Sequence, residues 1–341
     1  MIDSLIGNGI VPDLILRKGI NSLLKKRLID EYGESFDKAD VRRLELIDEL
    51  KKSPVAIDTD KANDQHYMVP PEFFVKSLGR NLKYSCCHWD KAKNLDEAEI
   101  EMLELTVKRA GIIDGDRILE LGHGWGAITL FMAEKFPNSE IIAVSNSKFQ
   151  GDYILEQAAL RNLSNIKINT ANVANLEMTE KFDRVISIEM FEHMRNYEEL
   201  LKRISTWLRP NGTLFVHIFV HKELSYKFDI VDDSDWMSKY FFSGGIMPSE
   251  HLLYYFKEDM VVDQHWRVNG THYGKTARGW LNNMDSNKDY IMNLFEHHYP
   301  KGEAKKWFNY WRVFFMSCEE LWNYKNGTEW FVGHYLFKKK A

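Results

Sequence analysis

The sequence has few cysteines, no long apolar run and no excess of positive charge. Its three cysteines are too few for a disulfide framework, so we expect a reducing compartment and place the protein in the cytoplasm. No stretch of about 18 apolar residues is present and the first residues lack the pattern of a secretion signal, so we expect no membrane association. The net charge of −5 argues against a nucleic-acid partner. No group of His and Cys has the spacing of a metal site.

The order of the apolar patterns predicts an α/β fold. Residues 1–80 show helical periodicity, and we interpret them as an N-terminal helical cap. Short apolar strands alternate with helices over 81–225, which is typical of a doubly wound, Rossmann-like core with a mostly parallel sheet. Residues 226–341 are rich in aromatic side chains and contain two late strand candidates, 260–269 and 330–339. We expect this last part to form a substrate cap and the final strands of the sheet.

A glycine-rich loop in the segment ILELGHGWG (118–126) follows the first strand of this core. Such a loop, leading into a helix, can bring backbone groups and a helix N-terminus close to a bound ligand, although it can also be only a tight turn. Position 127 is alanine, so the G-x-G-x-x-G spacing of dinucleotide folds is absent. The next strand ends in Ser145 and Asn146, with no carboxylate for an adenosine ribose. The pattern therefore favours S-adenosylmethionine over NAD.

The segment IEMFEHM (188–194) follows a predicted strand and contains Glu189, Glu192 and His193. One interpretation is that His193 starts a helix and the carboxylates are surface groups at its N-terminus. The other is chemical: an alkyl amine is mostly protonated at neutral pH, and a protonated nitrogen cannot accept a methyl group. A carboxylate can bind the ammonium and a histidine can take its proton, so these three residues are the candidate catalytic groups.

Several separated segments resemble one known family. LKYSCCHW, LELGHGWGA, VSNSKFQ and ISIEMFEHM occur in the order and spacing of plant alkaloid N-methyltransferases of the coclaurine N-methyltransferase type, and the similarity covers nearly the whole chain. These enzymes are related to the cyclopropane fatty acid synthases. The resemblance implies a class I methyltransferase fold that methylates a small aromatic amine, either a benzylisoquinoline or tetrahydroisoquinoline or a phenylalkylamine. It also implies that Glu192 and His193 are a catalytic pair and that Glu189 helps to engage the amine.

The resemblance further implies a set of cofactor-binding residues. Three positions depart from the family pattern: His123 stands where Cys is usual, Asn172 where Asp is usual, and Met68 where an acidic residue is frequent. An Asn carbonyl still accepts a hydrogen bond from an adenine amino group, so we expect the cofactor to be unchanged. The residues expected to bind S-adenosylmethionine are Tyr84, Ser85, Glu120, Gly122, Gly124, Ser145, Asn146, Gln150, Asn172, Val173 and Ile188.

Aromatic side chains can hold an amine by cation–π contact, although each can equally belong to the core. The residues expected to bind the substrate are Tyr84, Trp236, Phe241, His217, Tyr273, Trp322, Trp330 and Phe331.

Two alternatives stay open, as does a homodimer. In a cyclopropane fatty acid synthase, Cys86, Glu192, His217 and Tyr273 would match the residues that hold a bicarbonate. A non-catalytic relative would bind S-adenosylmethionine without turnover.

Overall fold

A computed structural model describes residues 2–33, 35–57, 69–230 and 236–340 of the chain. Met68, one of the departures from the family pattern, lies outside these residues. No helix within the described ranges is long and apolar enough to cross a membrane. Nor do these ranges bring three or more His, Cys, Asp or Glu side chains into a group that could hold a metal ion.

The centre of the described fold is one large sheet, with a two-stranded sheet beside it. The strands are β1 (Arg117–Leu121), β2 (Glu140–Ser145), β3 (Ile166–Thr170), β4 (Phe182–Ile188), β5 (Leu208–His221), β6 (Tyr226–Lys227), β7 (Ile246–Met247), β8 (Met260–Val268) and β9 (Trp330–Lys339). The large sheet has the order β3-β2-β1-β4-β5-β9-β8, and β6 pairs with β7. Strands β1 to β5 are parallel to one another, whereas β9 is antiparallel to both β5 and β8. Both late strand candidates are therefore strands of this sheet.

Helices cover the sheet on both faces, as buried apolar strands require. They are α1 (Ile2–Gly7), α2 (Asp13–Tyr32), α3 (Phe36–Lys52), α4 (Pro71–Ser77), α5 (Leu95–Ala110), α6 (Ala127–Lys135), α7 (Lys148–Leu160), α8 (Tyr197–Trp207), α9 (Trp236–Tyr240), α10 (Gly270–Ser286), α11 (Lys288–His298) and α12 (Ala304–Asn323). The strand order reverses between β1 and β4. In this architecture ligands bind at the carboxyl ends of the strands beside such a reversal.

The N-terminal and C-terminal helices pack against each other. Arg17 of α2 donates to Glu319 of α12 at 2.9 Å. The ring of Phe73 in α4 lies 4.7 Å, centroid to centroid, from that of Trp311 in α12. One apolar cluster includes both rings and also Trp125 of the glycine loop. The predicted N-terminal cap therefore shares its core with the C-terminal helices and with the glycine loop.

Candidate active site

A cavity lies at the carboxyl ends of β1, β2 and β4, next to the glycine loop. Gly122, Gly124 and Gly126 have φ of 86°, 49° and 81°, a left-handed backbone that glycine adopts without strain. A Cβ atom on Gly122 would lie 2.9 Å from Cγ of Met190, whereas one on Gly124 would meet no atom within 4 Å. The loop can therefore border the cavity with backbone alone, and α6 begins directly after it.

Every residue that the resemblance implies for the cofactor lines this cavity. The set combines the segment before α5, the ends of β1, β2 and β4, the start of α7 and the turn after β3. Its members are Tyr84, Ser85, Glu120, Gly122, Gly124, Ser145, Asn146, Gln150, Asn172, Val173 and Ile188. The fold brings together residues from separate segments of the chain, as the strand-end rule predicts.

Two buried side chains in the cavity fit the polar parts of S-adenosylmethionine. Gln150 is 1% exposed, and neither polar atom of its amide has a hydrogen-bond partner among the described residues. Buried amides normally have such partners, so this one suits a ligand with hydroxyl or ring-nitrogen groups. Glu120 accepts from Thr129 Oγ1 at 2.6 Å, and burial raises its pKa to about 8. A buried carboxyl at this place can bind the ammonium of an amino-acid ligand.

The two departures within the described cavity keep their polar character. Nδ1 of His123 donates to the carbonyl of Gly124 at 3.0 Å, which leaves Nε2 as an acceptor. Burial lowers the pKa of His123, so its ring stays neutral. Oδ1 of Asn172 accepts the N–H of Ala174 at 2.9 Å and caps the short 3₁₀ turn Val173–Asn175. Because a carbonyl oxygen has two lone pairs, this cap is compatible with the predicted adenine contact.

Glu189, the first residue after β4, has an unusual backbone. Its φ is +46°, a left-handed value that is strained for a residue with a side chain. Its N–H donates to the carbonyl of His217 in β5 at 2.8 Å, so the strand pairing continues to this residue. Strained residues of this kind concentrate at functional sites. The strained backbone therefore supports Glu189 as a candidate functional residue.

The Glu189 carboxylate is held by three hydrogen bonds. Oε1 accepts the N–H of Cys86 at 2.9 Å and lies 3.1 Å from Nε2 of His217, and Oε2 accepts the Tyr273 hydroxyl at 2.6 Å. The side chain is 8% exposed and lines the cavity. Residues from three distant segments therefore fix a single carboxylate next to the cofactor site.

The predicted catalytic pair lies on the 3₁₀ turn Phe191–His193. His193 lines the cavity together with Glu189, and its ring centroid lies 4.9 Å from that of Phe242. Glu192 is 2% exposed, is not among the lining residues, and its Oε2 makes no hydrogen bond within the described chain. The alternative that these carboxylates are surface groups is wrong, because both are buried below the turn.

The two carboxyl groups differ in how burial is compensated. Burial raises the pKa of Glu189 and Glu192, and the charge on Glu189 raises that of Glu192 further. At Glu189 the charge of Lys83 and the N–H of Cys86 oppose the rise. These opposing effects favour the proton on Glu192 and the negative charge on Glu189. Burial lowers the pKa of His193 to about 4, so its imidazole is neutral.

Lys83 is a buried cation that the sequence analysis missed. It is 2% exposed and lines the cavity. Nζ donates to Ser85 Oγ and to the carbonyl of Cys86 at 2.7 Å, while the backbone N–H donates to Glu99 at 3.1 Å. No spacing rule identifies such a residue. The available signal was a charged side chain inside an otherwise aromatic and cysteine-rich segment.

The predicted substrate residues separate into two groups. His217 and Tyr273 contact the Glu189 carboxylate, and Trp322 stacks on Tyr273 with ring centroids 4.7 Å apart. Of the predicted substrate set, Tyr84 is the one member that lines the cavity in the described chain. Two members of this group therefore hold the carboxylate, a third packs on one of them, and Tyr84 borders the cavity itself.

The other group lies in the core or on another surface and does not line this cavity, so its contact with the substrate stays a prediction. Phe241 stacks on Phe314 with centroids 4.5 Å apart, and Trp236 packs against Phe241 at 5.2 Å. Trp330 donates its indole N–H to Tyr226 at 3.1 Å.

Phe331, the next residue of β9, lines a separate charged groove near Arg267, whose guanidinium carbon lies 5.5 Å from the ring centroid. Successive strand residues face opposite sides of a sheet, so Trp330 and Phe331 cannot both face one pocket.

The chain is similar to known proteins over almost its whole length. It is 39% identical to (S)-coclaurine N-methyltransferase of Thalictrum flavum subsp. glaucum, over 97% of this chain and 93% of that protein. It is also 39% identical to the (S)-coclaurine N-methyltransferase of Papaver somniferum, over 97% and 96% of the two chains. A crystal structure of coclaurine N-methyltransferase bound to N-methylheliamine and S-adenosylhomocysteine superposes with a TM-score of 0.95, at 38% identity and 99% coverage of both chains.

The fold, the glycine loop and the cavity together define a Rossmann-like, S-adenosylmethionine-dependent methyltransferase. The sequence model of the family described as Mycolic acid cyclopropane synthetase matches residues 56–327. The chain belongs to this family, within which it resembles the coclaurine N-methyltransferases.

Proposed function

We propose that the protein transfers a methyl group from S-adenosylmethionine to the nitrogen of a small aromatic alkaloid. Benzylisoquinoline and tetrahydroisoquinoline amines are the first candidate substrates, and phenylalkylamines are the next. The observation that carries this proposal is the Glu189 carboxylate, which borders the cofactor cavity beside the neutral ring of His193. The relatives named as coclaurine N-methyltransferases support nitrogen as the acceptor atom.

The first step is the binding of a protonated amine. The charge on Glu189 attracts the ammonium group, and transfer into a buried cavity lowers the pKa of the amine, as it does for a buried lysine. His193 is neutral, and the charge on Glu189 opposes the decrease of its pKa, so His193 is the proposed acceptor of the proton from an amine that burial has made more acidic. Glu192 completes the proposed pair with His193. Burial and the charge on Glu189 raise the pKa of Glu192, which favours a single negative charge, on Glu189, at the cavity.

The cofactor, when bound, supplies an electrophilic methyl group on a sulfonium. The nitrogen lone pair forms the new C–N bond, the S–C bond breaks with its electron pair on sulfur, and S-adenosylhomocysteine remains. The residues of the chain contribute position: Glu189 and His193, which line the same cavity as the predicted cofactor residues, would hold the nitrogen. Correct alignment of the two reactants accounts for a large part of such a rate enhancement.

The cyclopropane synthase alternative needs a bicarbonate at residues that match Cys86, Glu192, His217 and Tyr273, and three of these, Cys86, His217 and Tyr273, are hydrogen-bond donors in this structure. Here all three groups bind the chain's own carboxylate, Glu189. A bicarbonate would have to compete for the same donors. This arrangement favours an amine substrate over an unsaturated lipid chain.

A release assay for S-adenosylhomocysteine tests the proposal. The panel contains benzylisoquinolines, phenylalkylamines and a phospholipid with unsaturated chains, and mass spectrometry locates the added methyl group. We expect release with an amine and a product that is one methyl heavier on nitrogen. Release with the lipid alone would make the protein a cyclopropane synthase. Cofactor binding without release from any compound would identify a non-catalytic relative.

Variants of the proposed pair test their roles. We expect Glu192→Gln and His193→Asn to lower kcat by about 100-fold or more with little change in cofactor affinity. The matched control is Glu199→Gln, since Glu199 is a nearby carboxylate that pairs with Arg203 at 2.8 Å. Wild-type turnover in a Glu192→Ala, His193→Ala double variant would remove both residues from the mechanism.

A further inference from the structure

We propose that Arg109 is a positioning residue for the amine site. It acts through a chain of hydrogen bonds in which each donor is directed towards Glu189. Nη1 of Arg109 lies 2.8 Å from Nδ1 of His334, whose Nε2 lies 2.9 Å from Nδ1 of His217. Nε2 of His217 in turn lies 3.1 Å from Oε1 of Glu189. The inference rests on the proposed function, in which Glu189 binds the amine, and it adds residues that no sequence pattern connects to the site.

Arg109 determines the direction of this chain. A guanidinium has N–H donors and no acceptor, so Nδ1 of His334 must accept and its hydrogen must be on Nε2. The same reasoning places the hydrogen of His217 on Nε2, where it is donated to Glu189. One arrangement of protons therefore satisfies all three contacts. It ends at Glu189, whose two oxygens accept this hydrogen bond and those from Cys86 and Tyr273, an arrangement that favours the ionised form.

The sheet holds the two histidines in place. His217 in β5 and His334 in β9 are directly opposite in the antiparallel register, and Trp266 of β8 is opposite His334 on the other side. The guanidinium carbon of Arg109, in α5, lies 5.1 Å from the ring centroid of Trp266. Both imidazoles are 0% exposed, and burial lowers the pKa of each well below its usual value. Each ring is therefore neutral and carries one hydrogen.

The opposite direction has a chemical cost at the active site. If the chain reversed, Nε2 of His217 would need to accept from Glu189, which would then carry a proton and lose its attraction for an ammonium. Arg109 opposes this reversal from three hydrogen bonds away. The charged and titratable groups that face Glu189 more directly are Lys83, Cys86, Glu192, His193, His217, Tyr273 and Cys318.

The variant Arg109→Met tests the chain, since it removes the donor and keeps an apolar contact for Trp266. We expect the acidic limb of the kcat/KM profile to move to higher pH by about one unit, with unchanged affinity for S-adenosylhomocysteine. Arg109→Lys should restore the wild-type limb, because an ammonium also has donors only. The matched control is Arg117→Met: Arg117 lies over the ring of Phe182 at 5.6 Å but is bound to Glu140 and Glu180.

A second measurement needs no amine substrate. Nitrogen-15 NMR of labelled histidines in the full chain distinguishes the two tautomers, and we expect His217 and His334 to carry hydrogen on Nε2 at neutral pH. In Arg109→Met a population with hydrogen on Nδ1 should emerge. Hydrogen on Nδ1 in the wild-type protein, or an Arg109→Met variant with wild-type tautomers and pH limb, would overturn the proposal. If no amine is methylated but the tautomers are as expected, the proposed function fails and the directed chain stands.

Discussion

Two parts of the cavity are built in different ways: the cofactor half, lined by the predicted cofactor residues, and the amine half, around Glu189, where we propose that the amine binds. In the cofactor half, most lining residues lie at strand ends or belong to the glycine loop, so backbone geometry determines their positions. In the amine half, one carboxylate is held by side chains and backbone groups from distant elements, and Tyr273 and His217 are among its donors. The first half depends on local conformation and the second on buried hydrogen bonds. A substitution should therefore affect one half far more than the other.

The largest expected effect is in the amine half. Glu189→Gln removes the charge that attracts the ammonium and replaces one acceptor oxygen by a donor that faces Tyr273 or His217. We expect kcat to fall by about 100-fold to 1,000-fold. Calorimetry with S-adenosylhomocysteine should show cofactor affinity within about twofold of wild type. The hydrogen bonds of the Glu189 carboxylate go to Cys86, His217 and Tyr273, none of which is a predicted cofactor residue. A parallel loss of cofactor affinity would show that the two halves are not separate.

The left-handed backbone of Glu189 provides a sharper version of the same test. Glycine adopts φ of +46° without strain, so Glu189→Gly should be more stable than Glu189→Ala by about 1 kcal/mol in denaturant unfolding. Both variants should be inactive in plain buffer. Added formate has a carboxylate that can accept the hydrogen bonds from Cys86, His217 and Tyr273, so it should restore part of the activity of Glu189→Gly. Glu189→Gln, whose side chain fills the same space, is the control that formate should not rescue.

The reverse prediction concerns the cofactor half. Gly122→Ala puts a Cβ atom 2.9 Å from Met190 Cγ at a φ of 86°, and the resulting shift of the loop should weaken binding of S-adenosylhomocysteine by about tenfold. Gly111→Ala is the matched control, because Gly111 has φ of 66° but meets no atom within 4 Å. Equal losses of cofactor affinity in both variants would contradict the specific role of the loop.

A smaller effect is expected from the buried carboxyl of Glu120. The folded protein keeps its proton up to a pH of about 8, whereas the unfolded carboxyl loses it near 4.5. The folded state therefore binds more protons between these values, and the free energy of unfolding falls as the pH rises through this window. Thermal unfolding without cofactor should show a larger loss of Tm from pH 5 to pH 8 in the wild type than in Glu120→Gln. Glu104→Gln, at an exposed carboxylate bound to Lys135, should follow the wild type.

The smallest effects should define the edge of the amine half. Trp322→Phe weakens the stack on Tyr273, whose rings lie 2° from parallel, and should raise KM for the amine by about threefold. Phe331→Leu changes a residue of the separate groove, so we expect an unchanged KM and a modest loss of stability. An increase in KM for Phe331→Leu alone would move the boundary of the site.

The sequence was informative where local chemistry determines the structure. The cavity is lined by several groups that the pattern and the resemblance singled out. They are the glycine loop, Glu120 and Ile188 near the ends of their strands, and the polar residues Ser145 and Asn146. Local spacing could show that Glu189 and His193 are near each other. It could not show that Glu192 is buried outside the lining of the cavity, because the direction of each side chain depends on the backbone conformation of residue 189.

The contacts that sequence reasoning missed are of two kinds, one between distant elements and one within a short buried segment. Arg109 and His334 are 225 positions apart and meet because β9 pairs with β5. Lys83 is buried because Ser85 and Cys86 satisfy its ammonium, and no periodicity predicts this. Aromatic residues were the least informative group, since large rings serve the core and a pocket equally well. Trp330 and Phe331 show that strand alternation would have separated them.

The place of β9 in the sheet affects how the enzyme can be assembled. β9 follows all the other described strands along the chain, yet it lies between β5 and β8 and contributes His334 to the chain of hydrogen bonds that leads to Glu189. During synthesis, β1 to β5 and the cofactor loop can form before β9 has left the ribosome, whereas β8 has no neighbour to pair with. The nascent protein would thus gain its cofactor pocket first, and it would become chemically competent only when its final strand enters the gap.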